Sequence, residues 1–181
     1  DLMDLVDLII PRSAKIVTDF GTDSMPAFIE ETGFRQVILN LVINAKDAIE
    51  RNGKIKITLK CVKKGQRIMI GSRGKQKIAP TQGAELTLID NGKGIPSEIE
   101  EKLFDPFFTT KSSGSGSGFG LYNTKVFMED HNGLIGFSSK VGKGTTFFLF
   151  LPLESDEEDS HADQERRTKR ATRAFIKARE S

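Results

Sequence analysis

The sequence predicts an α/β fold, a sandwich in which helices pack on a sheet. Two observations lead to this prediction. Some segments place apolar residues every three or four positions, as amphipathic helices do, and others alternate apolar with polar residues, as half-buried strands do. These two kinds of segment follow one another in turn along the chain, which is typical of α/β architectures.

The composition is that of a globular domain that can bury its own core. The chain has 181 residues, of which 37% are hydrophobic and 29% are charged. The longest apolar run, around residues 147–151, is far shorter than the roughly 18 residues that span a bilayer. A net charge of +2 is too small to indicate a nucleic-acid partner. We therefore expect a cytoplasmic domain without membrane contact of its own, whether or not the full-length protein is membrane-anchored.

The first half of the chain contains the strongest helical pattern. Apolar residues recur at helical spacing through residues 34–50, and an Asn-Gly pair follows them as a stop signal. Residues 1–10 have helical spacing as far as Pro11, whereas residues 15–20 and 55–61 alternate as strands do. We therefore expect a helical segment followed by a strand, the long helix and a second strand.

The second half continues the alternation of strands and helices. Residues 63–84 are rich in Lys, Gly and Gln and predict a hairpin extension or a mobile loop, with a small strand at 68–70. A Gly-Lys-Gly turn joins the last two strands. The remaining expected elements are a strand at 86–89, a short helix at 97–103, a helix at 121–130, and strands at 134–138 and 145–151.

The long helix carries a polar stripe along one face. The stripe consists of Gln36, Asn40, Asn44, Asp47 and Arg51, which recur every three or four residues. Short amides are poor helix formers, and an exposed face usually carries Glu and Lys instead. Amide oxygens are also hard ligands of the kind that Mg²⁺ accepts alongside phosphate and water. The stripe therefore indicates either a metal–phosphate site or a solvated face.

Two glycine-containing segments give the other chemical signals. Residues 90–94, Asp-Asn-Gly-Lys-Gly, follow a strand, so their carboxylate could accept a hydrogen bond from an exocyclic amine; the alternative is an ordinary turn. Residues 114–121 carry a glycine at every second position directly before a helix, which presents N–H groups to phosphate. The alternative for them is a disordered linker, and their spacing matches neither the P-loop nor the dinucleotide fingerprint.

An aromatic segment lies between the two glycine segments. Residues 103–111 hold three phenylalanines around a proline, directly before the second glycine segment. This pattern indicates the hinge and hydrophobic latch of a mobile lid, with plain core packing as the alternative for at least one of the three rings.

In this order and spacing, the segments resemble the histidine-kinase branch of the GHKL ATP-binding superfamily. The matching motifs are NLVINA at 40–45 (N box), DNGKGI at 90–95 (G1 box), FDPFF at 104–108 (F box), GSGSGFGL at 114–121 (G2 box) and the glycine turn GKGTTF at 142–147. The resemblance covers about residues 1–153. It implies a two-layer α/β sandwich of the GHKL type, with a mixed, mainly antiparallel sheet, about three helices on one face and a mobile ATP lid.

The resemblance also implies which residues bind ATP and Mg²⁺. Asp90 would hold the adenine amino group, with Gly94 approaching the ring and Thr146 near it. Asn44 would ligate Mg²⁺, and Asn40 would contact phosphate beside it as the second catalytic residue. The other expected nucleotide contacts are Gly92 and Ile95 in the G1 box, Phe107 and Phe108 at the lid hinge, and Lys111, Gly116, Gly118, Phe119, Gly120 and Leu121 in and before the G2 box.

One residue of the polar stripe departs from the family pattern. Many members carry a phosphate-contacting Lys at the position that Asp47 occupies here. We therefore expect no phosphate role for Asp47 and take Lys46 and Lys111 as candidate replacements.

Asn40 favours histidine as the phosphate acceptor. The ATPases and serine kinases of the superfamily carry Glu at this place, where its carboxylate polarises water or a hydroxyl. A neutral amide cannot act as a base, whereas imidazole is itself nucleophilic near pH 7. The resemblance thus implies the catalytic domain of a protein-histidine kinase in two-component signalling. The alternatives are a GHKL ATP-hydrolysing or serine-kinase module and a binding-only pseudokinase.

The acceptor histidine itself is not expected within this chain. Its two histidines are His131, which stands at a helix end and is expected to be structural, and His161, which lies in an acidic block. In the family the acceptor lies upstream on a dimerising helical hairpin. That hairpin, ATP, and a response regulator or receiver domain are the expected partners.

The resemblance divides the chain into three parts. Residues 1–14 would end the connection from the missing hairpin, and residues 15–153 would form the ATP-binding catalytic domain. Residues 154–181 carry an acidic block and then a basic one. They are expected to be a charged linker or tail leading to a further module, with a docking segment as the alternative.

Overall fold

The computed structural model describes residues 14–153 except 22–24, 26, 28, 51, 71–74 and 112–115, and before them Val6, Ile9 and Ile10. The predicted tail at 154–181, with His161, lies outside the described residues, as do most of 1–14, Arg51 and Gly114. Among the described helices, none combines the length and the apolar character needed to cross a membrane.

The described elements alternate between strands and helices as the periodicity predicts. In chain order they are β1 (Ala14–Asp19), α1 (Glu31–Ala48), β2 (Gly53–Val62), β3 (Arg67–Met69), β4 (Gln76–Ile78), β5 (Gly83–Asp90), a 3-10 helix (Ser97–Lys102), α2 (Gly120–Asp130), β6 (Leu134–Lys140) and β7 (Gly144–Pro152). Most predicted bounds are met within one to three residues.

The main sheet has five strands in the order β1-β2-β5-β7-β6. β1 and β2 are parallel, and every other pair in this sheet is antiparallel. The core lies between this sheet and the helices, with Leu41 and Val42 of α1 and Met128 of α2 fully buried against it. The predicted two-layer sandwich with a mixed, mainly antiparallel sheet is therefore confirmed.

Strand register explains which sheet residues enter the core. Leu88 of β5 pairs with Ile57 of β2 on one side and Phe147 of β7 on the other, and Phe147 pairs with Phe137 of β6. All four side chains are buried. Because side chains alternate between the faces of a sheet, the same register also fixes the direction of the polar residues at the strand ends.

A two-stranded sheet formed by β3 and β4 adds a second, smaller core. Val62, Ile68, Ile70, Ala79 and Phe150 form this cluster. The predicted hairpin extension is therefore confirmed. β4 was not expected, because its three residues are all exposed and show no alternation of apolar and polar side chains.

Helix α1 begins at Glu31, three residues before the predicted start, because Glu30 caps it. The Glu30 carboxylate accepts hydrogen bonds from the backbone N–H groups of Thr32 and Gly33, which hold its pKa below the ordinary value. At its other end the helix stops at Ala48, and Ile49 adopts an extended conformation.

His131 ties the end of α2 to the start of α1. Its Nδ1 lies 2.8 Å from the carbonyl oxygen of Phe127, so this nitrogen donates, and Nε2 accepts from the backbone N–H of Glu30 at 3.4 Å. The imidazole also stacks on the Phe127 ring with the centroids 4.1 Å apart. These contacts confirm the structural role predicted for this residue.

Candidate functional site

Asp90, the last residue of β5, is a buried carboxylate at one end of the candidate site. Its side chain is only 4% exposed. One oxygen, Oδ1, accepts hydrogen bonds from the backbone N–H groups of Gly92 at 2.8 Å and Thr145 at 3.2 Å. Within the described chain, no hydrogen bond reaches the other oxygen, Oδ2. Asp90 can therefore accept a hydrogen bond from a ligand without giving up a structural one.

Burial raises the pKa of the Asp90 carboxyl above its ordinary value of 3.8, and the two backbone hydrogen bonds only partly oppose this shift. A raised pKa in the folded state means that the native protein holds this proton more tightly than the unfolded chain does. The contribution of Asp90 to stability is therefore most favourable at low pH and falls as pH rises through the raised pKa.

We predict that the carboxyl carbon of Asp90, followed by NMR, titrates with a midpoint above 3.8. Asp90→Asn should remove the matching pH dependence from the free energy of unfolding, because the amide does not ionise. Denaturant unfolding of both proteins across the acidic range measures this difference. A midpoint at or below 3.8 would show that the backbone hydrogen bonds outweigh desolvation.

The turn between β6 and β7 supports Asp90 from the side. Gly144 has φ = 103°, and a Cβ on it would lie 2.0 Å from the carbonyl oxygen of Asp90. Only glycine allows the two backbones to come this close. The turn and the G1 box therefore pack directly against each other.

Ser139 connects the same turn to the G1 segment through its hydroxyl. The hydroxyl accepts from the backbone N–H of Ile95 at 2.8 Å and donates to the carbonyl oxygen of Gly144 at 3.0 Å. It also lies 2.9 Å from the hydroxyl of Thr145, which must then be the donor in that pair. Neither Ser139 nor Thr145 was expected in the site, because a Ser and a Thr beside a turn are common.

The polar stripe of α1 forms another side of the candidate site, next to the G1 box. Lys93 donates its backbone N–H to the carbonyl oxygen of Ala48 at 2.8 Å, and this hydrogen bond joins the G1 segment to the end of α1. A Cβ on Gly92 would lie 2.6 Å from the carbonyl oxygen of Ala48, so the two backbones are also close here. The stripe residue Asn44 lies one turn before Ala48 and is half-buried. In the part of the chain that the structure describes, no hydrogen bond engages its amide.

The side-chain amide of Asn40, by contrast, is hydrogen-bonded at both its oxygen and its nitrogen. Its Oδ1 accepts from Gln36 at 2.9 Å, and its Nδ2 donates to the carbonyl oxygen of Gly120 at 3.1 Å. The same carbonyl accepts from the hydroxyl of Thr124 at 2.8 Å. Asn40 therefore fixes the start of α2 against α1, and the phosphate contact predicted for it stays a prediction.

The first backbone N–H groups of α2 have no hydrogen-bond partner among the described residues. The residue before the helix, Phe119, makes no side-chain cap, and the first N–H with a helical partner is that of Asn123, which donates to Phe119 at 2.8 Å. Helix N-termini of this kind attract anions through their unpaired donors and the helix dipole. Gly120 and Leu121, both predicted as nucleotide contacts, form this turn.

The aromatic segment and the glycine segment meet at Phe107. This residue has φ = 65° and is 73% exposed, and its ring packs on that of Phe119 with the centroids 4.6 Å apart. A Cβ on Gly118 would lie 2.4 Å from the Phe107 backbone, so the two segments touch directly. Phe108 is half-buried, whereas Phe104 packs edge-on against Phe137 in the core.

A lysine links the aromatic segment, residues 103–111, to α1. Lys111 forms an ion pair with Asp47, with Nζ 2.5 Å from Oδ2. Gly116 lies over the same lysine, since a Cβ on it would approach the Lys111 Cδ to 2.9 Å. Lys111 is one of the expected nucleotide contacts, whereas no phosphate role was expected for Asp47.

The structure brings most of the predicted site residues into one region, in which Gly94 lies against the backbone of Lys140 and Ile95 bonds to Ser139. The side chain of Thr146 lies on the other face of β7 from that of Thr145. Thr146 pairs with Ile89 and Ser138, one residue away from the register position beside Asp90, so its side chain faces away from the side that Thr145 occupies. The adenine role of Thr146 stays a prediction, and Thr145 is the residue in contact with Asp90.

The site can thus bind a ligand with an amine at one end and anionic groups at the other. The amine end is Asp90. The anionic end combines the uncapped turn of α2, the amide of Asn44, which no described residue engages, and the ammonium of Lys111. The aromatic segment borders the anionic end, where the exposed Phe107 packs on Phe119.

The chain is similar to known ATP-binding proteins. Residues 29–155 match the family described as histidine kinase-, DNA gyrase B-, and HSP90-like ATPase. The sensor kinase CckA of Brucella abortus is 32% identical over 176 residues, which are 95% of this chain and 18% of CckA. The sensory histidine kinase/phosphatase NtrB of Rhizobium leguminosarum is 34% identical over 143 residues, 77% of this chain and 36% of NtrB. The chain therefore spans only a part of the length of these relatives.

Solved structures agree with the sequence matches. The nucleotide-free catalytic domain of the histidine kinase ThkA superposes with a TM-score of 0.60 at 27% identity, over 84% of this chain and 85% of that one. Full-length ShkA in complex with AMPPNP gives a TM-score of 0.65 at 20% identity, over 85% of this chain and 29% of ShkA, and supports the fold alone.

Proposed function

Because the chain belongs to the histidine kinase-, DNA gyrase B-, and HSP90-like ATPase family, as a catalytic domain of the sensor histidine kinase type, we propose that it binds ATP together with Mg²⁺. It would transfer the γ-phosphoryl group to a histidine on a separate dimerisation hairpin of the same kinase. The phosphoryl group would then pass to a response regulator or receiver domain.

The adenine end of the proposal rests on Asp90. Its Oδ2 has no hydrogen bond within the described residues, while Oδ1 is held by two backbone donors. A carboxylate fixed in this way accepts one hydrogen bond from the exocyclic amine of adenine in a defined direction. Thr145, Ser139 and Gly144 support the carboxylate and need no contact with the nucleotide to matter for binding.

The phosphate end rests on donors that do not depend on a base. The first N–H groups of α2 and the glycines at 116, 118 and 120 suit the β- and γ-phosphates, and Lys111 adds an ammonium group that is paired with Asp47. Phosphoryl transfer demands positioning and charge neutralisation above all. These groups supply both.

The residues present fit a magnesium ion that is bound mainly through the nucleotide. The described residues hold no group of three or more His, Cys, Asp or Glu side chains that could bind a metal by themselves. Mg²⁺ commonly takes one or two protein oxygens and completes its shell with phosphates and water. Asn44 would hold the ion through its uncommitted amide oxygen. The bound ion would neutralise charge on the phosphates during transfer.

Asn40 is the single observation that carries histidine as the acceptor. A carboxylate at this place would serve as the base for water or a serine hydroxyl, but an amide cannot take up a proton. Both ends of this amide are also engaged, with Gln36 and Gly120. The neutral imidazole of histidine attacks without such a base.

We predict that Asn44→Asp retains nucleotide binding through Asp90 but lowers the rate of phosphoryl transfer by on the order of 100-fold. The added negative charge would repel the phosphates and change the charge around a Mg²⁺ ion held by this residue. Single-turnover transfer from ATP to the histidine hairpin measures the rate. Asn132→Asp, at the far end of α2, is the matched control and should leave the rate unchanged. Equal rates for Asn44→Asp and the wild type would remove Asn44 from the transfer step.

The experiment that tests the proposed acceptor compares hydrolysis with transfer. The chain alone should bind ATP and release phosphate very slowly, and adding the hairpin should give rapid transfer to histidine. Steady release of phosphate by the chain alone would instead indicate an ATP-hydrolysing module. Failure to bind ATP in the presence of Mg²⁺ would indicate a pseudokinase.

A further inference from the structure

The ion pair between Lys111 and Asp47 differs in kind from the other ion pairs of the described chain. Arg35–Glu31 and Lys125–Glu129 each lie within one helix, and Lys60–Glu85 joins neighbouring strands. Lys111–Asp47 instead joins the aromatic segment to α1, at positions 64 residues apart in the sequence. Both side chains are about one-third exposed, so the pair is partly shielded from water.

The lysine is held at its backbone as well as at its ammonium group. Its backbone N–H donates to the hydroxyl of Thr109 at 3.1 Å. The backbone of Gly116 lies over both residues, since a Cβ on it would come within 2.8 Å of the Thr109 hydroxyl and 2.9 Å of the Lys111 Cδ. The ammonium therefore has a defined place relative to the glycine segment.

The Lys111 ammonium offsets the negative charge of Asp47 at the proposed phosphate end of the site. Asp47 lies one helical turn beyond Asn44, at the end of the site that would receive phosphates. A lone carboxylate there would repel an anion, so neutralising its charge favours ATP binding. Lys111 neutralises it and keeps donors free, because an ammonium group has three N–H bonds and the pair uses one. Lys46, the other candidate phosphate lysine, has no ion pair within the described residues.

We propose that Asp47 is a positioning residue that holds the Lys111 ammonium where it binds the terminal phosphate of ATP. This inference rests on the proposed function, because it needs the ATP phosphates beside Asn44. In this arrangement the phosphate-binding cation comes from the aromatic segment and not from α1. Binding of the terminal phosphate to Lys111 therefore depends on the contact between this segment and the helix.

The ratio of ATP affinity to ADP affinity tests this proposal, because only ATP has the phosphate in question. Lys111→Met should lower the ratio by about tenfold, the size of one charge-assisted hydrogen bond. Asp47→Asn should raise the affinity for ADP, since it removes a negative charge, but lower the ATP/ADP ratio several-fold, since Lys111 loses its anchor. Asp47→Glu, which keeps the carboxylate, should keep the ratio within about twofold.

The double variant separates positioning from simple electrostatics. In the Lys111→Met background, Asp47→Asn should raise both affinities by the same factor and leave the ratio unchanged, because no ammonium remains to be positioned. Glu129→Gln, which breaks the exposed pair with Lys125 on α2, is the control and should change neither affinity. Isothermal titration calorimetry of the chain with Mg-ATP and Mg-ADP measures all of these values.

Two results would overturn the proposal. One is an Asp47→Asn variant whose ATP/ADP ratio equals that of the wild type. The other is an equal fall in the ratio whether or not Lys111 is present. In either case, normal ATP binding by the wild type and its loss in Asp90→Asn would leave the proposed function standing. Failure of the wild-type chain to bind ATP at all would overturn both.

Discussion

Asp90→Asn should weaken ATP binding by roughly 10- to 150-fold, the equivalent of about 1.5–3 kcal/mol for a hydrogen bond to a charged group. The amide still offers one oxygen, which replaces Oδ1 as the acceptor for the N–H groups of Gly92 and Thr145. Its nitrogen then takes the place of Oδ2. A donor would therefore face the adenine amine, which is also a donor, so the recognising contact is lost.

The same substitution should leave the fold intact or make it more stable. Burying the Asp90 carboxylate is unfavourable, as its raised pKa indicates, and the amide carries no charge. Denaturant unfolding should therefore give a free energy of unfolding equal to or above that of the wild type. Asp19→Asn, at the exposed end of β1, is the matched control and should affect neither binding nor stability. If the ATP affinity of Asp90→Asn were within twofold of that of the wild type, Asp90 would not be the residue that recognises adenine.

Gly144→Ala should destabilise the protein by roughly 3 kcal/mol or more and weaken ATP binding as well. The new Cβ would lie 2.0 Å from the carbonyl oxygen of Asp90 and 2.8 Å from the Asn91 Cα, so backbone must move. The residue also has φ = 103°, which disfavours any side chain. The displaced segment is the one that carries the adenine-binding carboxylate.

Gly142→Ala provides a close comparison from the same turn. Gly142 also has a positive φ, 74°, but nothing lies within 4 Å of its Cβ position. This variant should lose only the backbone preference, about 1–2 kcal/mol, and bind ATP normally. The difference between the two variants in unfolding free energy measures the contact with Asp90 together with the less favourable φ of Gly144. Equal destabilisation, with normal ATP binding in both, would mean that Gly144 matters only for its φ.

Most of the fold was predictable because burial imposes a period on the sequence. The apolar residues of α1 recur at helical spacing since they face one sheet, and Ile55 and Ile57 alternate with lysines since one face of β2 is buried. β4 was not predictable, because its exposed residues have no buried face to reveal. The early start of α1 depends on Glu30, a residue type that is not a preferred cap.

The site residues that were missed are those related by tertiary contact alone. Nothing in the sequence connects Asp47 with Lys111, since helical spacing rules relate only charges three or four residues apart. The choice between Thr145 and Thr146 depends on strand register, and a shift of one residue reverses the face. A signal was available there, because Thr145 stands two residues before the buried Phe147 and so shares its face.

Transfer of label from [γ-³²P]ATP to the cognate histidine hairpin is the most direct test of the proposed function. The chain, mixed with the hairpin and Mg²⁺, should give acid-labile, alkali-stable phosphate on the hairpin. The label should be absent when the acceptor histidine is replaced and strongly reduced with Asp90→Asn. A chain that binds Mg-ATP but leaves no such label on the hairpin would contradict its assignment as the phosphotransfer domain of a histidine kinase.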